Sequence, residues 1–211
     1  MRTEELIRVL AADGALREPG LQRTLLKALA LGGVLSAALL LVVMHPRADI
    51  AAAVQTPRFL VKLIIALSVV VTAARLLPQV ARPFPRFRRL WLLTIPPLLL
   101  MLSVAVELWA LPAQSWSSRL LGHNATHCLA LIPVLSLAPA ACLLVALRRG
   151  ASFRPVLAGA AAGLVAGGVG ASLYGLTCPD DSPLFVGAWY SIAIAIVVLI
   201  SAIAGHKSLR W

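Results

Sequence analysis

The chain has 211 residues, of which 60% are apolar and only 13% are charged, and its formal net charge is +11. Soluble globular domains are about half apolar and about a quarter charged, so this composition excludes that class and indicates an all-α integral membrane protein. A net positive charge would suggest a nucleic-acid partner in a soluble protein. Here the basic residues lie at the ends of apolar runs, so we expect them to set membrane topology and predict no direct contact with nucleic acid.

Residues 1–24 form a polar N-terminal segment with a helical pattern. Leu6, Val9 and Leu10 recur at helical spacing, and charged residues occupy the other faces. The pattern predicts a short amphipathic helix with two alternative uses, to rest on the membrane surface or to bind a soluble partner. Acidic residues interrupt the basic region that a cleaved signal peptide would have, so we expect the segment to be retained.

Six apolar runs follow, each near the roughly 20 residues that a helix needs to cross a bilayer. Prolines mark the connections between them. The runs predict a six-helix transmembrane domain over residues 25–206 and a short cytoplasmic tail, 207–211. The expected helices lie near 25–44, 59–78, 90–110, 127–147, 154–176 and 184–204.

The distribution of basic residues predicts how this domain is oriented. With a cytoplasmic N-terminus, fifteen of the nineteen Lys and Arg residues fall in cytoplasmic segments. The positive-inside rule therefore predicts that both termini are cytoplasmic. The four basic residues left at the outer face are Arg47, Arg58, Lys62 and Arg119.

This orientation gathers a polar cluster at the outer face. Cys128 lies at the start of the fourth helix, and Cys178 lies in the loop before the sixth. Cys142 follows Cys128 by fourteen residues, which places it about 21 Å deeper on a helix and makes it a bystander. A carboxylate near membrane depth, as at Glu107, is costly and needs a partner or a role. The neighbours expected around the two cysteines are Glu107, His123, His127, Asp180 and Asp181.

Several uses of the two cysteines remain open from the residues alone. They could form a structural or redox-sensing disulfide, they could bind a soft metal ion with nearby imidazoles or carboxylates, or they could be small buried hydrophobes. Their spacing matches no standard zinc pattern, so a metal site stays undetermined. No catalytic constellation or phosphate loop is present, and we predict neither an enzyme nor a cofactor.

A stripe of glycines marks the fifth helix. Gly159, Gly163 and Gly167 recur at every fourth position, a spacing that lets a neighbouring helix approach closely. The stripe predicts packing inside the monomer, with a homodimer seam as the alternative.

Several segments resemble the NrsF family of proteobacterial membrane anti-sigma factors over essentially the whole chain. The most specific is the string from Cys178 through Asp180-Asp181-Ser182-Pro183-Leu184-Phe185-Val186. The other matching segments are His123–Leu129, Ile132–Ser136, Leu147–Ala151, Tyr174–Cys178, Trp189-Tyr190 and Leu209–Trp211.

The resemblance implies a six-helix protein of the bacterial inner membrane that holds an extracytoplasmic-function sigma factor inactive. Oxidants or heavy metals would release the sigma factor, with Cys128 and Cys178 implicated in sensing. The family commonly has a histidine where this chain has Thr177, a departure that weakens a metal-ligand role there and favours thiol redox chemistry. The sigma factor would bind at the cytoplasmic face, for which we predict Leu6, Val9 and Leu10. The alternative function is a small membrane transporter or channel with a structural disulfide.

Overall fold

The computed structural model describes residues 20–44, 47–81, 87–150 and 154–209, and within them the chain forms helices and no strands. Six helices in this part are long and apolar enough to cross a membrane, which confirms the predicted number. The predicted segment containing Leu6, Val9 and Leu10 lies outside the described residues. The six helices are α1 (Leu21–Val43), α2 (Pro57–Val80), α3 (Ile95–Ala110), α4 (Ala125–Leu147), α5 (Pro155–Gly175) and α6 (Ser191–Ser208).

Prolines define several of the helix starts. Pro57 is the first residue of α2 and Pro155 is the first residue of α5. Proline fits this position because the N–H of the first helical residue has no partner within the helix, so its absence costs no hydrogen bond. A 3-10 segment, Phe87–Thr94, leads into α3. The sixth span begins early, because the helix Pro183–Phe185 and a π turn run directly into α6.

The central helix is α5, which packs along α2, α4 and α6. Its glycines make these approaches possible on several sides. A Cβ atom built on Gly163 would lie 2.7 Å from Cβ of Ser201 in α6, and one on Gly168 would lie 2.8 Å from the Val70 side chain in α2. The glycine stripe therefore packs within the monomer.

A proline in α4 creates the joint with α1. Pro139 has no N–H to donate, so the carbonyl of Leu135 one turn earlier lacks its helical partner. Ser36 Oγ of α1 donates to this carbonyl at 2.6 Å. On the preceding turn of α1, Gly32 lies directly against the backbone of Pro139. Ser36 and Gly32 of α1 thus match the free carbonyl of Leu135 and the backbone of Pro139 in α4.

The helix α3 packs loosely at the side of the bundle. A cavity of about 510 Å³ separates it from α5 and α6, and nearly all the residues that line this cavity are apolar. The polar side chains in the lining are Thr72, Tyr190 and Ser191.

Candidate functional site

All four carboxylates that the structure describes lie at one end of the bundle, which we call the carboxylate end. Three of them bind elements that are distant in sequence, and two of these three belong to the loop between α5 and α6. We call residues 177–182 of this loop the covering loop; it contains Cys178, whose side chain is buried. The four carboxylates are Asp49, Glu107, Asp180 and Asp181.

Asp181 joins the covering loop to α2 and to the connection between α1 and α2. One carboxylate oxygen accepts from Lys62 Nζ, and the other accepts from Arg47 Nη1 at 2.9 Å. The Arg47 guanidinium also binds Asp49 and thereby lowers the pKa of that exposed carboxyl. Both cations lie near the Phe59 ring, with Lys62 Nζ 5.3 Å from its centre.

Asp180 caps the start of α4. Its Oδ2 accepts from the backbone N–H of His123 at 3.1 Å and from both the N–H and the side-chain amide of Asn124 at 3.0 Å. The negative charge of Asp180 also interacts favourably with the positive end of the α4 dipole. Gly122 precedes this pair with a φ of 56°, and a Cβ atom there would collide with the Phe185 ring.

Glu107 near the end of α3 is buried, and both of its carboxylate oxygens have polar partners. Its Oε2 accepts from Ser182 Oγ at 2.8 Å and from the Leu184 N–H at 3.0 Å. Its Oε1 lies 3.4 Å from Arg119 Nη1. The otherwise loosely packed α3 is therefore attached to the end of the covering loop through polar contacts.

The two thiols lie beneath these carboxylates in one buried cluster. Cys128 is 0% exposed and Cys178 is 2% exposed, and they lie close enough to interact electrostatically. Both are free thiols. Tyr174 and Tyr190 are buried in the same cluster as the two thiols. Among the described residues, the hydroxyl of Tyr190, which lies in the π turn, has no hydrogen-bond partner.

Burial raises the pKa of the Cys178 thiol, and the opposing effects of nearby donors and of the Lys62 charge are smaller. The resting thiol is therefore protonated near neutral pH, and a thiol is a weaker nucleophile and metal ligand than a thiolate. Reaction at Cys178 requires either that an incoming metal ion displaces this proton, which then passes to water, or that the surroundings of the thiol change.

The histidines and Cys142 stand apart from this cluster. The side chain of His123 is 95% exposed, and its Nδ1 lies 3.9 Å from Asp180 Oδ1, while its backbone N–H donates to Asp180. His127 is exposed on α4. Cys142 lies farther along α4, is only partly buried and belongs to no cluster with the other thiols. Among the described residues, no three His, Cys, Asp or Glu side chains come together as ligands for a metal ion.

The sequence of the chain is similar to those of a known protein family. A family model described as "Negative regulator of sigma F" matches residues 10–211. The chain belongs to the NrsF family. The Anti-sigma-F factor NrsF of Caulobacter vibrioides is 36% identical over 214 residues, and the Probable anti-sigma-F factor NrsF of Azospira oryzae is 31% identical over 215 residues. Each alignment covers 100% of both chains, and no solved structure gives a significant match.

The NrsF family is one of regulators and not of enzymes, which confirms the prediction that the chain has no catalytic activity. The family string from Cys178 to Val186 contains both Asp180 and Asp181. In this member of the family, those carboxylates bind α2, the connection before it and the start of α4. The segment whose resemblance to the family is the most specific is thus the one that contacts α2, the connection before it and the start of α4.

Sequence reasoning missed the role of Lys62. It counted this residue only as a basic charge at the outer face, but its side chain is 1% exposed and binds the covering loop. A usable signal was present, because an ionisable residue inside an apolar span usually marks a functional contact. Arg47 was missed in the same way, since the partner that links it to the covering loop, Asp181, lies 134 positions away in the sequence.

Replacing Asp180 with Ala is expected to lower the melting temperature of the protein in detergent. Losing a capping carboxylate typically destabilises a helix start by about 0.5–2 kcal/mol, and this one accepts three hydrogen bonds. Asp49→Ala is the matched control, because its side chain is 61% exposed. Equal melting temperatures for the two variants would contradict the capping role of Asp180.

Proposed function

We propose that this protein is an anti-sigma factor of the bacterial inner membrane. It holds an extracytoplasmic-function sigma factor inactive at the cytoplasmic face and releases it under oxidative or heavy-metal stress that Cys128 and Cys178 sense from the outer face. The observation that carries this proposal is the full-length similarity to an anti-sigma factor, at 36% identity over 100% of both chains.

The geometry of the two thiols supports the sensing part of the proposal. They share one buried cluster although Cys128 belongs to α4 and Cys178 to the loop that follows α5. A disulfide or a bound soft metal ion would pull these two elements together. A disulfide bonds the two sulfur atoms to each other, and a metal ion needs both of them as ligands. Chemistry at this pair therefore acts on the relative position of α4 and the end of α5.

A signal from the thiols must cross about 30 Å of bilayer to reach a cytoplasmic partner. The helices that surround the thiols are long enough to carry it, since α4 and α5 have 23 and 21 residues. Their close packing against each other favours movement as rigid units. The sigma factor would then detect a shift at the far end of the bundle.

Topology provides the first test. Both termini are expected to be cytoplasmic, so a reporter fused after Trp211 and a reporter inserted between Asp180 and Ser182 should give opposite readings. The physical reason is the excess of basic residues in the predicted cytoplasmic segments. A cytoplasmic reading from the inserted reporter would place the thiols on the wrong side for sensing an external stress.

Co-purification tests the partner. A tagged full-length protein extracted from its native host is expected to bring down a sigma factor. Deleting residues 2–18 should reduce the recovered sigma factor at least about tenfold, because an apolar stripe such as Leu6, Val9 and Leu10 supplies a few kcal/mol at about 25 cal/mol per Å² buried. Arg86→Ala with Arg88→Ala is the comparison variant, and a loss confined to that variant would move the binding surface to the loop between α2 and α3.

A further inference from the structure

A lysine buried at the carboxylate end is the feature that the sensing proposal does not explain. Lys62 lies in the second turn of α2, and its side chain is 1% exposed. Burying an ammonium group is costly unless charged and polar partners surround it. Its partners are the Asp181 carboxylate and the backbone carbonyl of Cys178, to which Nζ donates at 2.9 Å.

Both partners of Lys62 belong to the covering loop. The ammonium group thus binds this loop at two residues, at the backbone carbonyl of Cys178 and at the carboxylate of Asp181. Asp181 has a second cation in Arg47, but the carbonyl of Cys178 accepts from Lys62. Lys62 is therefore the contact that holds the backbone of Cys178 against α2.

The covering loop has two further attachments, which close it over the cluster. Asp180 binds the start of α4, and Ser182 binds Glu107 of α3. Beneath the loop, the thiols of Cys128 and Cys178 are almost completely shielded. These contacts fix the loop that carries Cys178 in the state in which both thiols are buried.

We propose that residues 177–182 form a lid over the two thiols and that Lys62 is the positioning residue that keeps this lid closed, so that the stability of its contacts sets how fast Cys128 and Cys178 react with small thiol reagents. The role of the lid in stress sensing rests on the proposed function, but the lid itself does not depend on it.

Two effects of removing Lys62 have opposite signs, and this allows a decisive test. The positive charge of Lys62 lowers the pKa of Cys178, so its loss alone would decrease the thiolate fraction and slow alkylation. Loss of the contacts that close the lid would speed alkylation at both thiols. The direction of the change therefore identifies the dominant effect.

The experiment measures residue-resolved alkylation of the full-length protein in native membranes with N-ethylmaleimide, followed by mass spectrometry. Lys62→Met is expected to react at least about tenfold faster at Cys128 and Cys178, since removing one partner of a buried ion pair is a large perturbation. Lys62→Arg, which keeps a donor and a charge, is expected to restore much of the protection. Arg58→Met is the matched control, because Arg58 is an exposed cation one turn away on the same helix.

Cys142 serves as the internal reference for the fold, because it lies far from the lid on α4. A faster reaction at Cys128 and Cys178 with an unchanged rate at Cys142 supports the lid. Equal acceleration at all three thiols indicates general loosening and overturns it, as does an unchanged or slower rate in Lys62→Met. Asp181→Asn provides a second variant of nearly unchanged shape, and it is expected to give a smaller acceleration.

A reporter gene under the sigma factor's control separates failure of the lid from failure of the proposed function. If alkylation accelerates and the reporter becomes more sensitive to stress, both proposals stand. If alkylation accelerates and the reporter does not respond to stress in any variant, the lid stands and the sensing function fails. If alkylation does not accelerate, the lid is wrong even where the parent protein responds to stress.

Discussion

Replacing both Cys128 and Cys178 with Ser is expected to abolish the response to cadmium and to peroxide. The two thiols form one buried cluster, and serine offers neither the soft ligand that such metal ions prefer nor the sulfur that peroxide oxidises. Each single serine variant is expected to lose induction or to hold one output state, because a disulfide or a two-sulfur metal site needs both partners. The measurement is expression of a sigma-dependent reporter across a range of stress doses.

Cys142→Ser is the control for this experiment, since that thiol lies outside the cluster. It should leave the dose response unchanged. A double Cys128→Ser, Cys178→Ser variant that represses and responds like the parent would contradict the thiol-sensing proposal. A double variant that has lost repression altogether would show instead that the thiols are needed for sigma-factor binding at rest.

Gly32→Ala is expected to destabilise the bundle strongly, whereas Gly33→Ala should not. A Cβ atom on Gly32 would lie only 2.9 Å from the backbone nitrogen of Pro139 and even closer to its Cα, and backbone atoms cannot rotate away as a side chain can. Overpacking of this kind typically costs about 1–3 kcal/mol. The new methyl group would also force apart α1 and α4, which meet through the Ser36 hydrogen bond.

Gly33 makes the comparison sharp because it is the next residue of the same helix and no atom lies within 4 Å of its added Cβ. Alanine there should be neutral or slightly stabilising, since glycine in a helix interior is about 1 kcal/mol less favourable than alanine. Thermal unfolding of the purified protein in detergent measures both effects. Similar melting temperatures for the two variants would show that α1 and α4 do not pack as described.

The number and approximate position of the six helices could be predicted from the sequence, because the length of an apolar run along the chain is enough to predict a membrane-spanning helix. Each predicted span lies within about four residues of the observed membrane-spanning segment, which for the third and sixth spans begins at Leu90 and Pro183, before α3 and α6. Pro57 and Pro155, which the sequence predicted as breaks between the spans, are the first residues of α2 and α5. The small-residue stripe of α5 likewise predicted close helix packing. That the stripe packs within the monomer became clear only when Ser201 and Ile194 of α6 were found against it.

The sequence also determined which residue types could form the site, although not which of them meet. Cys128 and Cys178 were expected at one face from helix length and orientation, and the structure brings them into one cluster. His123 and His127 were expected in the same neighbourhood but point away from the thiols. Helical spacing places a residue at a depth, but the facing direction depends on how each helix is rotated against its neighbours.

The tertiary structure alone decided the partners of the charged residues. Lys62 meets Asp181 across 119 positions of the chain, and Glu107 meets Ser182 across 75. Local pattern contains no information about contacts at such separations, because they arise from the packing of helices that are distant along the chain. The sequence by itself therefore determined a six-helix protein with Cys128, Cys178, Glu107 and the Asp180-Asp181 pair near one end. Only the packing of the helices decided that Lys62 would be buried against the loop that carries Cys178.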